Sequence, residues 1–243
     1  MRHQLGILIS GGGTTMQAII QACRTQIIPD MQVNCVISSS ETAGGLIKAS
    51  NLHISQKNLV VINPNDYREP TGLIDQQKFG EALLTHLHKR NITIVAQNGW
   101  LPLTPANVIN AYEDNIFNQH PGPVPEFGGK GMYGLRVYAA RLYFAREVDR
   151  DWKTLAIAQR VCKKFDQGAV VKFHEVDIYR GDTPESLQTR ALPAEHQVQV
   201  ELLKDVVNGK VREVKREISF VRSGEEELLK KCKEKAIKDY PNA

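Results

Sequence analysis

The sequence predicts an α/β protein with a mostly parallel central sheet, helices on both of its faces and an antiparallel C-terminal part. Three observations lead there. Short apolar runs alternate with amphipathic helical stretches through the N-terminal half, the pattern of right-handed βαβ units. The first apolar run ends in three glycines and passes straight into a helix. Two later apolar runs, 155–165 and 169–176, are joined only through Asp166-Gln167-Gly168, so they read as antiparallel neighbours.

The elements follow in order. Residues 5–9 form a short apolar run bounded by Ser10-Gly11-Gly12-Gly13. After Thr14-Thr15, residues 16–23 read as a helix with Met16, Ile19, Ile20 and Cys23 on one face. Residues 33–37 form a second strand and 42–51 a second helix. A third strand at 59–62 ends in Asn63-Pro64-Asn65. Residues 75–90 place Phe79, Leu83, Leu84 and Leu87 on one helical face, and 92–96 form a fourth strand. An apolar run then leads into Phe117-Asn118-Gln119-His120 and the rigid Pro/Gly stretch 121–125. Residues 133–144 read as a helix. Asp182-Thr183-Pro184-Glu185 has helix-start chemistry, and the helix it opens is expected to be interrupted or kinked at Pro193. The charged segment 225–238 reads as a solvated helix.

Composition narrows the function classes. A chain of 243 residues fits one domain, or one domain with an extension. No apolar run approaches the roughly 20 residues needed to span a bilayer. The N-terminus lacks the apolar length and cleavage site of a signal peptide, so a cytoplasmic location is expected. Cys23, Cys35, Cys162 and Cys232 are isolated, and no Cys/His spacing suggests a metal site. A net charge of +4 is too small to indicate a nucleic-acid partner and suits anionic small-molecule substrates.

Two patterns carry chemistry. In an extended segment residues i and i+2 share a side, so Asn118 and His120 are expected to face one reacting atom together. An amide and an imidazole are donors suited to a carbonyl that becomes an oxyanion, and Asp166 is a third candidate. The alternative for the triplet is structural: a strand-end histidine and a turn-forming asparagine. Ser10-Gly11-Gly12-Gly13-Thr14-Thr15 lies between strand and helix, where free N–H groups, the helix dipole and two hydroxyls suit a phosphate monoester. No Lys-Ser/Thr ends it and position 16 is methionine, so it is neither a Walker loop nor a dinucleotide fingerprint. Parallel sheets hold ligands at their strands' carboxyl ends, so this turn, Gln97-Asn98-Gly99-Trp100 and the Asn118 segment are expected to meet.

Residues 7–19, reading ILISGGGTTMQAI, resemble the opening of phosphoribosylglycinamide formyltransferases. Asn118-x-His120-Pro121 and Asp166-x-Gly168 resemble that family's N-x-H-P and D-x-G, in the same order and spacing. The resemblance runs from about residue 5 to residue 215. It implies a Rossmann-like formyltransferase domain over 1–215 with a charged helical extension over 216–243. It also implies transfer of a formyl group from 10-formyltetrahydrofolate to the amine of glycinamide ribonucleotide in purine biosynthesis. No metal or covalent intermediate is implied, and the chain is expected to act as a monomer or homodimer. Asn118, His120 and Asp166 take the catalytic positions. Gly13, Thr14, Thr15 and Arg68 take phosphate-binding positions, and Glu195 a ribose-binding one. Trp100, Leu101 and Leu103 fall on the segment that lines the folate pocket.

The chain departs from the family pattern in several places. The usual H-P-S-L-L-P is His120-Pro121-Gly122-Pro123-Val124-Pro125, and the usual D-G-G is Asp166-Gln167-Gly168. Thr154-Leu155-Ala156-Ile157 replaces an H-G-x-S/T element, and Leu101 stands where a basic residue is common. Residues 128–134 are unusually rich in glycine, and Lys130 among them reads as a solvent-exposed loop lysine, the alternative being a contact to an anionic substrate or the folate glutamate tail. His53, His86, His88 and His174 read as surface or core-edge residues. The competing enzyme reading is a formyltransferase of the same fold acting on a nucleotide-linked amino sugar. A competing non-enzyme reading is a silent binder of a phosphorylated metabolite or folate.

Overall fold

The computed structural model describes residues 2–216 and 219–242. Seven strands form one sheet: β1 (His3–Ile9), β2 (Met31–Ser38), β3 (Leu59–Val61), β4 (Ile94–Gln97), β5 (Ile116–His120), β6 (Lys153–Arg160) and β7 (Val170–Asp177). Their order is β3-β2-β1-β4-β5-β6-β7. The first five pair in parallel, and β6 and β7 join antiparallel, as the sequence predicts. The helices are α1 (Thr14–Arg24), α2 (Gly44–Asn51), α3 (Gln76–His88), α4 (Ala106–Tyr112), α5 (Leu135–Val148), α6 (Pro184–Val207) and α7 (Glu226–Asp239).

β1 runs through the middle of the sheet and is apolar on both faces, as a strand covered on both sides must be. Leu5, Ile7 and Ile9 pack with Met16 and Ile19 of α1 and with Val198 and Leu202 of α6. Leu8 turns the other way, into a layer with Phe79 and Leu83 of α3 and Val108 of α4. The chain builds outward from β1 to β3, then returns to place β4 on the other side of β1. The loops after β1 and β4 therefore part in opposite directions and leave a crevice between them.

Four features differ from the sequence reading. Helix α4 was not foreseen: it is seven residues long and buries only Val108, Ile109 and Tyr112, too few turns for a clear periodicity. Strand β6 stops at Arg160, and 161–169 form a loop in which Asp166 adopts a left-handed backbone with φ 53°. Helix α6 is not interrupted at Pro193. Pro193 and Thr189 are both exposed, so water reaches the carbonyl that loses its helical donor. Burial of Leu187, Ala191, Val198 and Leu202 secures the helix on either side. Finally, α7 is not fully solvated, since Cys232 and Ala236 are buried against Phe127, Val137 and Phe144.

The start of α6 is capped by a Thr183–Ser186 capping box and braced by Asp182. Its carboxylate accepts from both Arg190 Nη atoms at 2.5 and 2.6 Å, from Ser186 Oγ at 2.7 Å and from Tyr179 N at 2.8 Å. Arg190 and these donors hold the carboxyl down at about 2. A depressed pKa gives stability that is present above the unfolded value of 3.8 and lost as pH falls toward 2. Asp182→Asn is therefore expected to cost roughly 2 kcal/mol at pH 7. Urea unfolding should show the difference from the natural chain vanishing between pH 4 and pH 2.

Candidate active site

A cleft of about 430 Å³ opens at the carboxyl ends of β1, β4 and β5. Ser10 ties its walls together. Its Oγ accepts from Leu101 N at 3.0 Å and from Ser39 Oγ at 2.6 Å, and its N–H donates to Gly99 O at 2.9 Å. One side chain thus joins the loops that follow β1, β2 and β4. Gly13 then opens α1 with φ 65°, and a Cβ there would lie 2.8 Å from Gly45 Cα. A glycine at this position gives α1 no side-chain cap, and its first turn holds no acid, so nothing there offsets the positive end of the helix dipole. Gly13, Thr14 and Thr15 all line the cleft.

Strand β5 delivers Asn118 and His120 to the same side, as their spacing predicts. Asp166 reaches the pair from the β6–β7 loop and becomes a shared acceptor. Its Oδ1 accepts from Gln159 Nε2 at 2.9 Å and from Asn118 Nδ2 at 3.4 Å. Its Oδ2 accepts from Gly129 N at 2.9 Å and lies 3.5 Å from His120 Nε2. The imidazole is almost completely buried, with Nδ1 3.1 Å from the Gly122 carbonyl. That carbonyl can only accept, so Nδ1 carries a proton and Nε2 is turned to the cleft and Asp166. Among the described residues, Nε2 has no hydrogen-bond partner.

Gln159 is a site residue that the sequence reading missed. It is 1% exposed and sits directly opposite Asn118 in the β5–β6 ladder. Sequence holds no signal for it, because strand register is set by pairing and not by a local motif. Gly122 explains one departure from the family pattern: a Cβ there would lie 2.4 Å from Val137 Cγ1 on α5. Gln167, the neighbouring departure, is exposed.

The other predicted residues divide into two groups. Trp100, Leu101 and Leu103 line the cleft. Trp100 is 7% exposed and stacks on Phe79, at 6.2 Å between centroids, whereas Leu101 is 45% exposed. Glu195 also lines the cleft, and its two oxygens accept from Tyr138 Oη and Gln119 Nε2. Arg68 does not line the cleft. It follows β3 in the chain, and its guanidinium is engaged by Asn65 Oδ1 at 2.7 and 3.0 Å and by Gly72 O at 2.6 Å. Lys130 is exposed on the cleft rim. His53, His86, His88 and His174 stand away from the cleft. Among the described residues, no group of three or more His, Cys, Asp and Glu is placed to hold a metal, and no helix is long and apolar enough to cross a membrane.

The profile of the family described as formyl transferase matches residues 3–203. The chain belongs to that family. Named relatives place this formyltransferase in its phosphoribosylglycinamide branch. The chloroplastic phosphoribosylglycinamide formyltransferase of Vigna unguiculata is 30% identical over 224 residues, spanning 92% of this chain and 67% of the relative. The phosphoribosylglycinamide formyltransferase of Haemophilus influenzae is 25% identical, spanning 86% and 89%. The crystal structure of glycinamide ribonucleotide transformylase 1 from Symbiobacterium toebii superposes with a TM-score of 0.73 at 27% identity, covering 88% of this formyltransferase and 95% of that chain.

Burial raises the Glu195 carboxyl above its ordinary value of 4.5, against the pull of its two donors. The stability that Glu195 lends is therefore complete below pH 4.5 and declines as pH rises. Glu195→Gln removes the titration and keeps the shape. Its urea midpoint is expected to rise relative to the natural formyltransferase from pH 4.5 to pH 8, with no such trend below pH 4.5.

Proposed function

We propose that this enzyme transfers a formyl group from 10-formyltetrahydrofolate to the amine of glycinamide ribonucleotide, a step of purine biosynthesis. The observation that carries the proposal is the gathering of Asn118, His120 and Asp166 on one cleft wall, in a chain whose relatives bear that acceptor in their names. The phosphate of the acceptor binds the Gly13-Thr14-Thr15 turn, where α1 offers free N–H groups and hydroxyls. Glu195 takes a ribose hydroxyl, and the folate lies along Trp100, Leu101 and Leu103.

The acceptor nitrogen attacks the formyl carbon, and the carbonyl's electron pair moves onto its oxygen. The Asn118 amide and the protonated His120 Nε2 donate to that oxyanion. Asp166 takes the proton that the attacking amine must lose, directly or through water. Collapse of the tetrahedral intermediate then breaks its bond to the folate nitrogen, which receives that proton from Asp166, directly or through water, and leaves as tetrahydrofolate. The water-poor position of His120 makes each of these donors worth more than it would be in solvent.

The decisive measurement is tetrahydrofolate release followed by absorbance, with and without glycinamide ribonucleotide. Acceptor-dependent release supports the proposal. No release from folded enzyme with verified donor overturns this acceptor. Asn118→Ala is expected to lower kcat by roughly 10²–10³-fold, as the loss of one oxyanion donor does elsewhere. Turnover at the natural rate would remove Asn118 from the mechanism.

A further inference from the structure

The family match ends at residue 203, yet the residues beyond it reach back to the catalytic wall. Helix α7 buries Cys232 and Ala236 against α5 and Phe127. One turn of that face carries Lys233, whose Nζ donates to Glu126 O at 3.0 Å and to Gly128 O at 2.6 Å. The next amide, Gly129 N, donates to Asp166 Oδ2 at 2.9 Å. The intervening backbone has no slack: a Cβ at Gly128 would lie 2.4 Å from Asp166 Cβ, and Gly129 adopts φ 105°.

Other contacts hold the same loop from the same side. Arg216 donates to Val124 O at 2.9 Å and to the Glu126 carboxylate at 2.5 Å. Arg136 donates to Gly131 O at 3.0 Å while also binding Tyr240 O and Pro241 O at 2.8 and 2.7 Å, which fastens the end of the chain to the loop. Lys233 is half-buried. Burial lowers its pKa, while the nearby Asp166 and Glu126 carboxylates pull it up.

We propose that Lys233 is a positioning residue for formyl transfer: by holding the carbonyls of Glu126 and Gly128, it aims the Gly129 amide at Asp166. This rests on the reading of Asp166 as a participating carboxylate. A carboxylate that drifts from His120 and the acceptor amine loses turnover without losing substrate contacts, because Lys233 touches neither the phosphate turn nor the folate segment. The segment outside the family match thus completes the site.

The experiment uses the full chain with 10-formyltetrahydrofolate and glycinamide ribonucleotide. Lys233→Met, which keeps the length of the side chain and removes its donors, is expected to lower kcat about tenfold, with both KM values within about twofold. Lys233→Arg should recover most of the loss. Hydrogen exchange at the Gly129 amide should be faster in Lys233→Met. In an Asp166→Asn background Lys233→Met should cost little more, since both changes act through one carboxylate. Lys233→Gln serves the same comparisons if the methionine variant does not fold. An unchanged kcat, unchanged Gly129 exchange, or an equal loss in the Asp166→Asn background overturns the proposal. Full turnover by Asp166→Asn alone would instead remove the catalytic reading of Asp166, while Gly129 exchange would still report whether Lys233 holds the loop.

Discussion

One carboxylate organises the cleft wall that carries Asn118 and His120. Asp166 receives the Gln159 amide, the Asn118 amide and the Gly129 N–H, and it faces His120. A carboxylate offers about four lone-pair sites, so these neighbours leave it little freedom. They come from β5, β6 and the loop before α5, segments that meet only when the antiparallel end of the sheet is in register. The left-handed backbone at Asp166 is uncommon for a residue with a side chain, though aspartate tolerates it better than most. Convergent hydrogen bonds of this kind keep such a conformation in place.

The parallel part of the sheet supplies the other wall. The crevice beside β1 follows from strand order, and Ser10 links the loops that border it. The cleft is thereby built from two kinds of strand pairing. The Gly13-Thr14-Thr15 turn sits on a parallel βα unit, at the start of α1. Asn118 and His120 sit where parallel pairing gives way to antiparallel, and cross-strand neighbours can be placed face to face.

The departures from the family pattern lie around the retained chemical groups. Gly122 packs against α5 where a larger residue would collide with Val137. The glycine-rich 128–134 run passes between Asp166 and the C-terminal helix, where Gly128 has no room for a side chain. These substitutions are coherent as one change: a loop drawn close to α5 and α7 needs small residues, and Lys233 and Arg216, which help to draw it close, lie beyond the family match.

The sequence by itself determined the alternation of strands and helices, the glycine-rich turn before α1 and the shared side of Asn118 and His120. Each depends on periods of two or 3.6 residues, or on local backbone chemistry, which neighbours in sequence control. It could not place Gln159 opposite Asn118, take Arg68 away from the cleft, carry α6 through Pro193 or bring Lys233 to Gly128. Those outcomes depend on strand register, on strand order and on the docking of segments distant along the chain. They are set by the burial of apolar faces in three dimensions, and no short stretch of sequence encodes them.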